Sequence, residues 1–377
     1  MRPSKFLMAA FLFVATNLFS QTIYKVDSNP NAPTGDHVYS NLQDCIDAAS
    51  DGDIIQIIPA VDHYGDVEIN KELHLVGSGW VSDNQSGMIS KVNSIVFESS
   101  TANGSTLNGL TLIADYSYPI VFGELNAPLD TLKDVEIYNC KIAGIRQLAN
   151  CPIKNITLRN NVFALLYSNS GAGVTLNFQS TDGATENLLI TNNIILRSRY
   201  TWGIAHPAMR VANQTIITNN LFISWQGLPT FSVVHHCFIT NNVFYGAGTQ
   251  SSSTSYANVF SNNLSYECAS SCAIPPPSTA APANTGSGNL PNTDPLYASI
   301  VATYTSYTNT NDLSVSEFSP LLDGGTDGSD IGIMGGQYPF VNYNNLRGVP
   351  YIHQMSVPGL IMENQDIQLE AEARNNQ

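Results

Sequence analysis

One stretch of this chain concentrates the side chains that could do chemistry. "RSRYTWGIAHPAMR" holds Arg197, Arg199, Tyr200, Trp202, His206 and Arg210, and Trp225 follows soon after. Planar rings stack on sugar faces, and arginine forks pair bidentately with carboxylate or sulfate. Arg197, Arg199, Tyr200, Trp202, Arg210 and Trp225 therefore read as contacts for an anionic glycan. The same residues have a structural alternative, in which Tyr200 and Trp202 cover an apolar edge and the arginines solvate it. If Tyr200, His206 and Arg210 converged with a histidine of "SVVHHCF", they could supply acid and base for a metal-free β-elimination. His235 and His236 are strand neighbours facing opposite sides, so only one can enter a given groove.

Carboxylates are scarce in the same region. Between Ile153 and Tyr266 the only acids among 114 residues are Asp182 and Glu186. Lys154, Arg159, Arg197, Arg199 and Arg210 leave this stretch at +3 within an acidic protein. Further on, "DGGTDGSD" offers Asp323, Asp327 and Asp330 as candidate calcium ligands, although Asp and Gly are also ordinary turn residues. No other cofactor is implied. Of six cysteines, Cys268 and Cys272 are close enough to staple a local loop. The pairing of Cys45, Cys140, Cys151 and Cys237 stays open, and no CxxC or matching histidine spacing suggests a metal site.

The chain has 377 residues, with 15 basic against 30 acidic. Arg2 and Lys5, the apolar run "FLMAAFLFVATNLF" and the small residue Ser20 have the layout of a secretory signal peptide over residues 1–20, cleaved near Ser20. That predicts a secreted or cell-surface protein. A chain this acidic argues against nucleic acid or anionic membranes as partners, and no later apolar run is long enough to span a bilayer.

The elements that must position these residues follow from a repeat. "VEIYNCKI" at Val135, "ITLRNNVF" at Ile156, "LLITNNII" at Leu188, "TIITNNLF" at Thr215, "CFITNNVF" at Cys237 and "NVFSNNLS" at Asn258 align on Asn139, Asn160, Asn192, Asn219, Asn241 and Asn262. Their separations are 21, 32, 27, 22 and 21 residues. Each unit alternates apolar and polar residues and is rich in Ile, Val, Thr and Phe, which favours strands. So short a period has no room for helical crossovers, so each strand must pair with its counterpart one repeat later in a parallel solenoid. Asparagine suits the corners because it tolerates φ > 0, and stacked amides can bond along the axis. The two longer spacings mark inserted loops, one after Leu166 and one at 197–210, where a solenoid builds its clefts.

These coils resemble the right-handed parallel β-helix superfamily typified by pectate lyases. "VYSNLQDCIDAASDGDIIQIIP" from Val38 reads as an amphipathic helix near Leu42–Ala49 before a first strand, and in that superfamily such a helix caps the open end. "INKELHLVGSG" and "STLNGLTLIA" fit early coils, and "SPLLDGGTDGSDIGIMGG" resembles the closing segment of secreted bacterial members. Hydrolases of the superfamily use paired carboxylates, and many lyases use acid-bound calcium with a basic residue. Neither set can be carried onto residues 153–266. The expected organisation is a β-helix domain over 21–340, irregular and Pro/Ser-rich about 268–293, and a tail over 341–377 with one strand at "DIQLEAEAR". The functional expectation is a non-catalytic polysaccharide-binding or structural extracellular protein. The alternatives are a metal-independent lyase acting on an anionic glycan and an adhesin for a protein partner.

Overall fold

The computed structural model describes residues 21–374 apart from 31, 81–87, 113–117, 165–174, 179–183, 198–208, 213–214, 225–228, 252–254, 269–270, 279, 301–311, 341–350 and 357–369. The expected signal peptide, residues 1–20, lies outside the described residues. Among them no helix is long and apolar enough to cross a membrane.

Short strands dominate, and they fall into long all-parallel sheets with almost no helix. The first sheet has twelve strands, among them Asp53–Ile57, Leu73–Val76, Thr106–Asn108, Glu136–Tyr138, Thr157–Arg159, Leu189–Thr191, Ile216–Thr218, Phe238–Thr240, Val259–Ser261 and Thr285–Ser287. A second sheet of eight strands runs from Asp66–Ile69 to Gly248–Ser251, and a third of eight from Lys91–Val92 to Leu264–Tyr266. Parallel neighbours need a crossover. Between Leu73–Val76 and Val259–Ser261 the other two sheets provide it, because the chain visits all three before returning one strand further along. This topology fits a parallel β-helix. Its core is a set of stacks: Ile137, Leu158, Ile190, Ile217, Ile239 and Phe260 lie side by side across the first sheet, all buried. Phe222 and Phe244 stack in the third sheet with centroids 5.0 Å apart.

The asparagine pairs form the corner between the first and third sheets, and the two members do different work. The first of each pair, Asn139, Asn160, Asn192, Asn219, Asn241 and Asn262, takes φ between 51° and 56°. Glycines extend this column at both ends: Gly109 (φ 68°) is in register before Asn139, and Gly288 (φ 69°) after Asn262. The amide-to-amide chain along the axis runs through the second member instead. Asn161 donates to Asn193 (3.1 Å), and Asn193 to Asn220, Asn220 to Asn242, Asn242 to Asn263 and Asn263 to Asn289, each at 3.0 Å. The cause is orientation: the second side chain points into the coil, where Asn161, Asn193, Asn220, Asn242 and Asn263 are fully buried and must find partners internally. The first points outward. Thr285–Ser287 and Asn289 thus add a coil inside the stretch expected to be irregular.

The third sheet is buried on both faces. Val162, Ala164, Ile194, Leu196, Leu221, Ile223, Val243 and Leu264 form one apolar cluster with Leu313, Leu321, Ile331, Ile333 and Phe340. Residues 319–340 therefore lie along the outside of the coils, and the outward asparagines hold them. Asn262 donates to Gly324 O (2.8 Å), Asn219 to Asp330 O and Gly332 O (both 3.2 Å), Asn192 to Ile333 O (3.0 Å) and Gly335 O (2.8 Å), and Asn160 to Tyr338 O (2.9 Å). Asn241 exchanges two bonds with Thr326. Gly335 and Gly336 are required here, since a Cβ would fall within 3.0 Å and 2.7 Å of the Asn219 amide.

At the other end, Leu42–Ala48 is helical, one residue shorter than expected. Asn41 caps it by accepting from Asp44 N (3.1 Å), and Leu42, Cys45 and Ile46 enter the main core. The tail contains two antiparallel strands, Tyr351–Ser356 and Glu370–Arg374, where the pattern suggested one.

Candidate functional site

The residues expected to bind an anionic glycan are not assembled by the described structure. Arg199, Tyr200, Trp202, His206 and Trp225 lie outside the described residues. Arg197 closes the strand Ile194–Arg197 of the third sheet, and Arg210 lies in Met209–Ala212 of the second, so the two backbones belong to different sheets. The two remaining bases of that stretch have carboxylate partners. Lys154 pairs with Glu186 at 2.7 Å. Arg159 pairs with Glu136 and covers the rings of Tyr138 and Tyr338, at 4.1 and 4.9 Å from their centroids.

The histidines depart from strand alternation. His236 adopts φ 56°, which turns its ring back onto its neighbour. His235 Nδ1 and His236 Nδ1 come within 3.1 Å, and His235 stacks on Tyr256 at 5.1 Å. The acids of "DGGTDGSD" hold their own turns. Asp327 accepts from Ser329 N (3.1 Å) and Ser329 Oγ (2.7 Å), and Asp330 accepts from Asp323 N (3.0 Å). The bonds from Ser329 hold the Asp327 carboxyl below its usual range. No group of three metal-ligating side chains occurs among the described residues. Cys268 and Cys272 are bridged, with Cα atoms 5.3 Å apart. The other four cysteines are buried thiols, and burial pushes Cys45, Cys140 and Cys237 up to about 12.

Two arrangements escaped the sequence reading. On early coils, Glu98 lies near Glu68, to which it is hydrogen-bonded, and Glu124; burial first, then those two charges, raise its carboxyl above the ordinary value. Glu68 and Glu124 are exposed and Glu98 is half-buried.

The second is a cleft of about 510 Å³ at the last coils. Register builds one wall: Tyr245 and Tyr266 are aligned partners in the third sheet, with ring centroids 5.7 Å apart. Tyr297, from the antiparallel pair Tyr297–Ser299 and Asp312–Val315, closes on Tyr245 at 6.5 Å. All three rings are half-buried, and Glu267 and Asp294 are exposed at the rim. Burial first, then Glu267, raises the Tyr245 phenol; the charge of Asp294 comes first for Tyr266, which also hydrogen-bonds that carboxylate. Asp294 in addition accepts from Leu296 N at 2.8 Å. Neither carboxylate is enclosed, the setting a glycosidase gives its proton donor. The arrangement can stack planar faces and accept hydrogen bonds. A signal was present in "NNVFY" and "NNLSY", whose tyrosines share one phase of the repeat.

No protein-family model matches the chain, and no curated protein is detectably similar to it in sequence.

Proposed function

We propose that this is an exported, right-handed parallel β-helix of the pectate-lyase-like type, closed at its first coil by the helix Leu42–Ala48, that binds a polysaccharide without cleaving it. The observation that carries the reading is the cleft of Tyr245, Tyr266 and Tyr297. Half-buried tyrosines on rigid strands offer flat apolar faces with a polar edge, as a sugar ring requires. The Cys268–Cys272 bridge supports an oxidising compartment. The non-catalytic part rests on Lys154 and Arg159 being tied to carboxylates and on the open setting of Glu267 and Asp294.

The test is a glycan array followed by calorimetry on the ligands it retains. Tyr245→Ala and Tyr266→Ala should each weaken binding about tenfold or more, measured well below the thermal midpoint of each variant, since both rings also pack against the outer apolar cluster. Binding unaffected by both changes would sink the cleft as the site. New reducing ends or unsaturated products during long incubation would overturn the non-catalytic reading.

A further inference from the structure

We infer that the cleft recognises a glycan carrying free amino groups, taken up as ammonium ions. The inference rests on the glycan-binding reading above and names the chemistry of its ligand. Among the described residues, Glu267 and Asp294 are the charged residues lining the cleft, and no lysine or arginine is among them. Tyrosine faces carry negative quadrupole charge and attract ammonium groups placed over them. Three such rings, 5.7 and 6.5 Å apart along the wall, stand beside two carboxylates. An ammonium donates three hydrogen bonds and so could serve a carboxylate and a ring together.

The surroundings reinforce this. Between Arg210 and Arg347 the chain contains no lysine or arginine, but it contains seven carboxylates. The coils behind the cleft and residues 319–340 come from this interval. No internal cation of the interval competes for Glu267 or Asp294, and the summed field draws positive ligands towards the cleft. The same negative charge acts on the phenols: Asp294 raises Tyr266, and Glu267 contributes, after burial, to raising Tyr245. A uronate or sulfated chain would meet this field with like charge. The exposed edges at Leu296, Ala298 and Ser314 leave the cleft open, as passage of a polymer requires.

The experiment is calorimetry of the full chain against four oligosaccharides of equal length: β-1,4-glucosamine, β-1,4-N-acetylglucosamine, cellulose-derived glucose and galacturonate. The glucosamine oligomer should bind at least about tenfold tighter than its acetylated form. Its advantage should shrink as salt rises, and again as alkaline pH discharges the amines. The Glu267→Gln/Asp294→Asn double variant should lose this preference and keep its neutral binding. Equal affinity for acetylated and free-amine oligomers in the native chain, or a preference that survives the double change, overturns the ammonium inference and leaves the glycan reading standing. Failure of every oligosaccharide to bind overturns the glycan reading and this inference with it. Should the double variant fold poorly, the acetylation contrast and salt dependence of the native chain still decide the matter.

Discussion

Asn192 and Asn193 are adjacent, yet they answer different physical demands. Asn192 supplies a left-handed corner and an outward amide; Asn193 is fully buried and bonded along the axis. Asn193→Ala would strip Asn161 N and Nδ2 of their acceptor and leave Leu158 O without its donor. The expected cost is about 3 kcal/mol or more, read as a lowered midpoint in urea. Asn192→Gly keeps the corner and loses the bonds to residues 333 and 335 and the one accepted from Thr191 Oγ1, whose hydroxyl can rotate to another acceptor, so it should cost less than Asn193→Ala, in the same assay. Glu98 gives a pH prediction. Its folded value is raised, so between the ordinary and the raised value the folded chain binds more protons than the unfolded one. That contribution is present at low pH and is lost as pH rises through the folded value. Glu98→Gln should therefore raise the thermal midpoint at neutral pH, with the gain vanishing in acid. A gain that persists below the glutamate range would contradict the sign.

The third sheet carries the next scale. Its strands read as continuous apolar runs, "VFA", "IIL" and "LFI", the pattern of parallel strands covered on both faces. Ending the chain after Phe318 would uncover the row from Val162 to Leu264. The expected outcome is strong binding of an apolar dye and concentration-dependent aggregation; a monomer that stays dark would refute the cover role of residues 319–340. How much of this was legible varies by element. The repeat could be read because Asn marks φ > 0 by its letter, and the strand partners follow the asparagine spacing. The coil at Gly288 escaped, and the corner at Gly109 went unmarked within an expected coil, because glycine meets the same demand without a distinctive pair. The amide chain was expected in the first column because sequence phase says nothing about which neighbour points inward. The cleft joins Tyr245 to Tyr297 across 52 positions of sequence, and no local pattern announces such contacts.

At the scale of the whole molecule, charge and shape are distributed unequally. The early coils mix both signs, whereas the interval from 211 to 346 is wholly without lysine or arginine. A change of ionic strength should therefore affect ligand capture more than stability, because the core stacks are apolar. Residues 324–338 meet the corners of five successive coils in fixed order, Asn262, Asn241, Asn219, Asn192 and Asn160. A free solenoid can gain or shed a turn by duplication or deletion of one unit. Here an added turn would leave one corner unmatched and slide every contact beyond it. The outer segment acts as a gauge of turn number, and only an insertion in a loop leaves all five of these contacts in register.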